Sequence, residues 1–177
     1  SFNHTPGGTQ AWLCGAESDE YPPLVASELV TDTYSLGQGA RARVWSRLHA
    51  ETNGPRGAFD GGVVQIQVEG QPTWELLYPE TGYTHSMSET GGTNILPPGT
   101  PCLSGHDQDW RELRFDLSGW DGQRVQLRFL FGSDGVPSPS RSLRGWALDD
   151  FRLDPGERDP TDAASAPPMG GGLLIAP

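Results

Sequence analysis

The sequence predicts an all-β protein that folds as a two-sheet antiparallel β-sandwich. Two observations predict this class. The 177 residues include 24 glycines and 16 prolines, which separate short apolar runs and favour turns over long helices. Several of these runs also alternate apolar with polar residues at a period of two, which is the pattern of half-buried strands. We count about seven or eight such strands and no helix of any length, and their spacing suits a sandwich.

In the first half of the chain, short strands are expected at residues 9–13 and 24–29. Residues 40–49 alternate most clearly, with small or apolar residues on one face and three arginines, a tryptophan and a histidine on the other. A hairpin is expected next, with strands at residues 62–69 and 74–77 on either side of a Gly/Pro turn.

In the second half, residues 78–109 form a long, polar and irregular segment. A loop of this length inside a compact domain is usually functional or held in place by another contact. Strands are then expected at residues 111–117, 123–131 and 145–153. We expect the sandwich domain to span residues 1–154.

Residues 155–177 are rich in proline and glycine and are expected to be a linker or tail. Such a tail would lead to another domain, or dock on a domain or subunit. Its last apolar residues, 173–176, can add as a strand to the edge of another subunit's sheet. Self-association through the tail is therefore one predicted partnership.

The charge of the chain limits its partners. All 12 basic residues are arginines, and 23 acidic residues bring the net charge to -11. This balance argues against nucleic acid or anionic lipid as the main partner, because binding to phosphates needs concentrated positive charge. No apolar run of 18 residues is present, so no membrane span is predicted.

The cysteines and histidines show no catalytic or metal-binding motif. Cys14 and Cys102 are too far apart for a CxxC motif; they form either one disulfide in an oxidising compartment or two buried thiols. The four histidines lie outside any HExxH or similar arrangement. The sequence therefore predicts a non-catalytic protein and disfavours zinc or iron.

Two adjacent carboxylates, Asp149 and Asp150, lie in the last predicted strand. Because neighbouring side chains of a strand point to opposite faces, one of them should be turned inward unless the strand ends or bends there. An inward carboxylate needs a partner, and in an acidic chain a hard cation is a candidate. The alternative is that both are solvated at a strand end.

A ligand-binding face is predicted if the strands at 40–49, 63–69 and 123–131 lie in one sheet. Its outer side chains would be Arg41, Arg43, Trp45, Arg47, His49, Gln65, Gln67, Arg124 and Arg128. Trp45 can stack a sugar ring, while Arg43, Arg47 and Arg128 donate hydrogen bonds. The alternative is a solvated face whose arginines pair with carboxylates.

Several motifs in order resemble the MAM-like jelly-roll module attached to bacterial secreted peptidases of the immune inhibitor A type. The motifs are Glu51, Phe59 to Val63, Thr73-Trp74, Trp110, Arg114 to Val125, Leu127 to Asp134 and Gly145 to Phe151. Together they cover most of residues 9–153.

The resemblance implies a jelly roll, bacterial and either secreted or on the cell surface, often accessory to an enzyme and often stabilised by structural calcium. Asp149 and Asp150 would supply ligands to such an ion, and Asp60 and Glu51 match family positions near them. Glu17 and Asp19 are alternative ligands. We therefore expect an extracellular binding or adhesion module for a glycan or protein ligand. The alternatives are a structural subunit that assembles through the tail, and a carbohydrate-binding accessory domain of a secreted hydrolase.

Overall fold

The computed structural model describes residues 3–15, 21–90, 92–137 and 144–157. Within these ranges the chain is almost entirely β, with one short 3-10 helix at Ser118–Trp120. The strands are β1 Trp12–Gly15, β2 Ala26–Val30, β3 Tyr34–Ser35, β4 Arg41–Ala50, β5 Thr52–Asn53, β6 Gly57–Ala58, β7 Gly61–Val68, β8 Glu75–Leu76, β9 His85–Met87, β10 Pro101–Cys102, β11 Gly105–His106, β12 Arg111–Asp116, β13 Arg124–Gly132 and β14 Gly145–Asp154.

Two antiparallel sheets pack face to face, which confirms the predicted sandwich. Sheet 1 has the order β1-β14-β4, and β11 and β12 both pair with the other edge of β4. Sheet 2 has the order β2-β13-β7-β8, with β3 following β2 along the edge of β13. Alternate residues of each strand therefore face the space between the sheets.

The order of the strands is that of a jelly roll. The antiparallel pairs are nested in the chain: β7 pairs with β8, β4 with β12, β2 with β13, and β1 with β14. The chain is thus one long hairpin of nested pairs, rolled up so that successive pairs alternate between the sheets. Backbone hydrogen bonds to residues 37–38 continue this fold as far as Glu157, and the rest of the predicted tail lies outside the described residues.

A third, small sheet takes two of its strands, β9 and β10, from the segment 78–109, for which the sequence predicted only an irregular loop, and the other two, β5 and β6, from residues 52–58. Its order is β10-β9-β6-β5, and β6 and β9 are parallel. Its strands are two or three residues long, too short to show a period. A second apolar cluster, with Met87, Leu96 and Cys102 at its centre, packs beneath it. Strand pairing and apolar packing therefore hold this segment in place.

The main core contains large aromatic side chains from both sheets. Phe115 and Trp146 of sheet 1 and Phe129 and Phe131 of sheet 2 are fully buried. The Trp146 indole N–H donates to the hydroxyl of Ser46, 2.9 Å away. This bond explains why the inward face of β4 carries one polar residue among apolar ones, since a buried indole N–H needs an acceptor.

Of the two alternatives for Cys14 and Cys102, the disulfide is the wrong one, because both are free, buried thiols. Cys14 belongs to the main core, whereas Cys102 belongs to the cluster beneath the small sheet. Burial raises the pKa of Cys14 to about 11 and that of Cys102 to about 12. Both side chains therefore behave as small apolar groups.

We expect neither thiol to react with Ellman's reagent in the native protein at about pH 8, because little reactive thiolate is present at such pKa values. Unfolding in guanidinium should release both thiols, and a reducing agent should leave the thermal midpoint unchanged. A disulfide would instead give no thiol after unfolding and a lower midpoint on reduction.

Candidate functional site

A β-bulge in β14 determines where the adjacent carboxylates lie. Asp149 pairs with Trp45 of β4, but Arg152 pairs with Arg43, so two residues of β14 oppose one of β4. Asp150 has a left-handed backbone with φ of 49°, which aspartate tolerates better than most residues. The expectation that one carboxylate is turned inward is therefore wrong: the strand bends, and both are half-exposed on the outer face of sheet 1.

The two carboxylates bind a segment near the start of the described chain. Oδ2 of Asp149 accepts the backbone N–H of His4 at 2.8 Å. Oδ2 of Asp150 lies 2.8 Å from Nδ1 of His4 and accepts the hydroxyl of Thr5 at 2.6 Å. These hydrogen bonds, first from Thr5 and then from His4, lower the pKa of Asp150. The carboxylates thus act as acceptors for a polypeptide segment.

The His4 ring lies flat on Trp45. The ring centroids are 3.9 Å apart and the planes differ by 14°, while Trp110 presents its edge to His4 at 5.9 Å. We call Trp45, Trp110, Asp149 and Asp150 the Trp45 site. Trp45 faces outward, as the alternation in β4 predicted, and the ring that stacks on it is that of His4 in the same chain.

The predicted ligand-binding face does not exist as one surface. β4 belongs to sheet 1, whereas β7 and β13 belong to sheet 2. Arg43 and Arg47 flank Trp45, but Arg128 lies on the opposite outer face of the sandwich. There Arg128 donates to Gln65 at 2.6 Å and lies 4.4 Å above the Trp74 ring. Because a jelly roll alternates strand pairs between sheets, strands that look alike in sequence face opposite ways.

The other two predicted calcium ligands, Glu51 and Asp60, lie elsewhere. Glu51 follows β4, and Asp60 immediately precedes β7. Six residues of nearly extended chain separate Trp45 from Glu51, which is about 20 Å at the rise of a strand. The four predicted ligands therefore form two groups, at the Trp45 site and at one end of the sandwich. Glu17 and Asp19 lie outside the described residues.

Asp60 is buried among oxygen atoms and backbone N–H groups. Its side chain is 2% exposed and accepts the Tyr21 hydroxyl and the Asp134 backbone N–H. Asp134 is itself buried and accepts the N–H groups of Gly92 at 3.1 Å and Val136 at 2.8 Å. No ion pair with arginine or histidine reaches Asp60 or Asp134 in the described ranges.

Burial is the largest cause of the pKa shifts of Asp60 and Tyr21. The pKa of Asp60 is raised to about 6, chiefly because burial desolvates the carboxylate. The hydrogen bonds from Tyr21 and Asp134 lower this pKa in part, whereas the charges of Asp134 and Glu51 raise it. Burial and the neighbouring Asp60 also raise the pKa of Tyr21. An ionised Asp60 is thus unfavourable in the protein alone.

The carboxylates of Asp60 and Asp134 supply the oxygen atoms that a hard cation prefers. The four predicted ligands, however, do not form one site. Each side-chain oxygen of Asp60 and Asp134 accepts one hydrogen bond, which leaves lone pairs that an oxygen-preferring ion can use. Within the described ranges, however, no three His, Cys, Asp or Glu side chains are arranged to hold a metal. Sequence reasoning missed Asp134 and Tyr21, because only the tertiary fold brings them to Asp60.

Comparisons with known proteins give one partial match. No family model matches the chain. A segment of 54 residues is 39% identical to the pre-pro-metalloprotease PrtV of two serotype O1 strains of Vibrio cholerae. The segment covers 30% of this chain and 5% of each relative, so the chain spans only a small part of their length. In the described ranges, no helix has the length and apolar character needed to cross a bilayer. The chain therefore shares a segment with a metalloprotease precursor.

Proposed function

We propose that the chain is a non-catalytic extracellular binding module that holds a glycan at the Trp45 site. Two findings support its class. The relative is named as a pre-pro-protein, a term for precursors of exported enzymes, and the shared segment is a small fraction of that relative. At this site the Thr5 hydroxyl donates to Asp150 rather than to His4, and His4 stacks on Trp45, so these described side chains do not form a nucleophile hydrogen-bonded to a base.

One observation carries the choice of ligand. The Trp45 site holds a flat ring against Trp45 and satisfies adjacent donors with the carboxylates of Asp149 and Asp150. A pyranose offers the same two features, an apolar ring face and hydroxyl donors around its rim. The His4-Thr5 segment therefore occupies the place of a sugar, and a ligand would displace it.

Binding of three single variants to a glycan array tests this proposal, because we expect one to lose binding, one to gain binding and one to bind like the wild type. Trp45→Ala should abolish binding, since the stacking surface is lost. His4→Ala should increase binding several-fold, since it uncovers Trp45. Trp74→Ala is the matched control, because Trp74 is covered by Arg128 on the other outer face, and it should bind like the wild type.

The proposal is wrong if the wild type and Trp45→Ala bind the same glycans equally. It is also wrong if Trp74→Ala is the variant that loses binding. A protein ligand at the same site would appear as no binding to any glycan, with Trp45-dependent binding of the free His4-Thr5 segment as a synthetic peptide.

We further propose that a structural calcium ion binds the carboxylates of Asp60 and Asp134 at this end of the sandwich, with backbone carbonyl oxygens and water as its other ligands. Both carboxylates are buried and form no ion pair with a basic side chain of the described ranges, and bound calcium would supply positive charge there. The proposal rests on the donor chemistry of these residues and on their burial.

A further inference from the structure

Three arginines lie side by side across sheet 1. In the register of the sheet, Arg43 of β4 is directly opposite Arg114 of β12 on one side. On the other side it is opposite Arg152 of β14. We call these three residues the arginine row. Neighbouring strands are about 4.8 Å apart, so like charges in such a row repel and destabilise the sheet.

The carboxylates around the arginine row neutralise it only in part. Glu112 forms ion pairs with two of the arginines, with Arg43 at 3.0 Å and with Arg114 at 2.5 Å. Within the described ranges, Arg152 has no ion pair. By contrast, Arg41 in the next row is flanked by Asp116 and Asp154 in register. The uncompensated charge is therefore concentrated in a single row.

The arginine row lines an open groove of about 700 Å³, together with Arg41 and the carboxylates of Glu80 and Asp154. Four of the chain's 12 arginines thus converge on one groove, although the net charge is -11. The side chains of Arg43 and Arg114 are 51% and 64% exposed, so their guanidinium groups are accessible to a ligand. The groove has the volume of a small-ligand site.

We infer that the arginine row binds an anionic glycan through its carboxylate or sulfate groups. Guanidinium groups bind both kinds of anion with paired hydrogen bonds. The row lies two residues from Trp45 along β4 and on the same face, so one chain of sugars can reach both. The inference deepens the proposed function and rests on it, because it assumes that this face binds the ligand.

The spacing favours a glycan over an acidic peptide. An extended peptide presents side chains on one face about 6.8 Å apart, which is wider than the separation of about 4.8 Å between neighbouring strands. A glycan can carry anionic groups on adjacent rings or adjacent carbons of one ring, and can match the closer spacing.

Calorimetric titration of the full chain with defined polymers tests the inference. The probes are polygalacturonate, which carries only carboxylates, dextran sulfate, which carries only sulfates, and neutral dextran. Poly-L-glutamate represents an acidic peptide. The test variant is Arg43→Gln with Arg152→Gln, and the control is Arg56→Gln with Arg124→Gln, which removes the same charge from positions outside the groove.

We expect the wild type to bind at least one of the two anionic glycans and not neutral dextran. The test variant should lose about tenfold or more in affinity, and its dependence on log salt should fall by about one for each arginine removed. The control should stay within about twofold of the wild type. The thermal midpoint of Arg152→Gln should not fall, because this arginine faces like charge in the row and forms no ion pair within the described ranges.

Equal losses in the test and control variants would overturn the inference, as would the absence of binding to both anionic glycans. Binding of poly-L-glutamate as tight as that of the glycans would overturn it in favour of an acidic protein partner. If only neutral glycans of the array bind, and do so through Trp45, this inference fails while the proposed function stands.

Discussion

Replacing Trp146 by alanine is expected to lower the free energy of unfolding by about 3–5 kcal/mol. Trp146 is 0% exposed and packs edge to face against Trp12 and Phe129, with ring centroids 6.3 and 6.1 Å away. A Cβ added to Gly62 would lie 2.5 Å from the indole ring, so the backbone of β7 lies directly against the ring. Truncation would therefore leave a large cavity between the sheets.

Guanidinium unfolding followed by circular dichroism measures this loss. Trp74→Ala is the matched control and should cost about 1 kcal/mol or less, because Trp74 is only half-buried, beneath Arg128. Trp146→Phe should fall between the two, since it keeps an aromatic ring but leaves the Ser46 hydroxyl without the indole N–H. A cost for Trp146→Ala no larger than that for Trp74→Ala would show that this contact does not hold the sheets together.

Local periodicity was sufficient to predict the fold class. The alternation in β4 and β13 predicted which side chains face the core, and the burial of both strands agrees with it, except at His49, which was expected to face outward but is buried and stacks on His106. The prediction of a single ligand-binding face from β4, β7 and β13 was wrong for a specific reason. Periodicity assigns a residue to one side of its own strand, but it does not say to which sheet the strand belongs.

The sites depend on features that local patterns do not contain. The bulge after Asp149 rotates one residue out of the alternation, and nothing in the sequence of β14 marks it. The contact of His4 with Asp150 joins residues that are 146 positions apart. Asp60 meets Tyr21 and Asp134 in the same way, through tertiary packing. The sequence therefore predicted several of the residues at these sites, but not the groups that they form.

In calcium-free protein, Asp60→Asn is expected to be more stable than the wild type at about pH 7, by at most about 3 kcal/mol. The folded-state pKa of Asp60 is about 6, above its ordinary value of 3.8. Protonated Asp60 therefore contributes stability that is fully present below pH 3.8 and is lost as the pH rises through about 6. Asparagine imitates the protonated acid, so the advantage of the variant should vanish by about pH 4.

Calcium should remove most of this difference if the ion binds at Asp60 and Asp134. At 100 times its dissociation constant, calcium would add about 2.7 kcal/mol to the wild type, whereas Asp60→Asn, which lacks one ligand charge, should gain little. Asp121→Asn is the control, since Asp121 is exposed and should respond like the wild type. Thermal unfolding tests the calcium site and the cost of burying an ionised Asp60 separately. A wild-type midpoint that is equal in calcium and in chelator would contradict the metal site. If the difference in stability between Asp60→Asn and the wild type is the same at about pH 4 as at about pH 7, the predicted cost of burying an ionised Asp60 is contradicted instead.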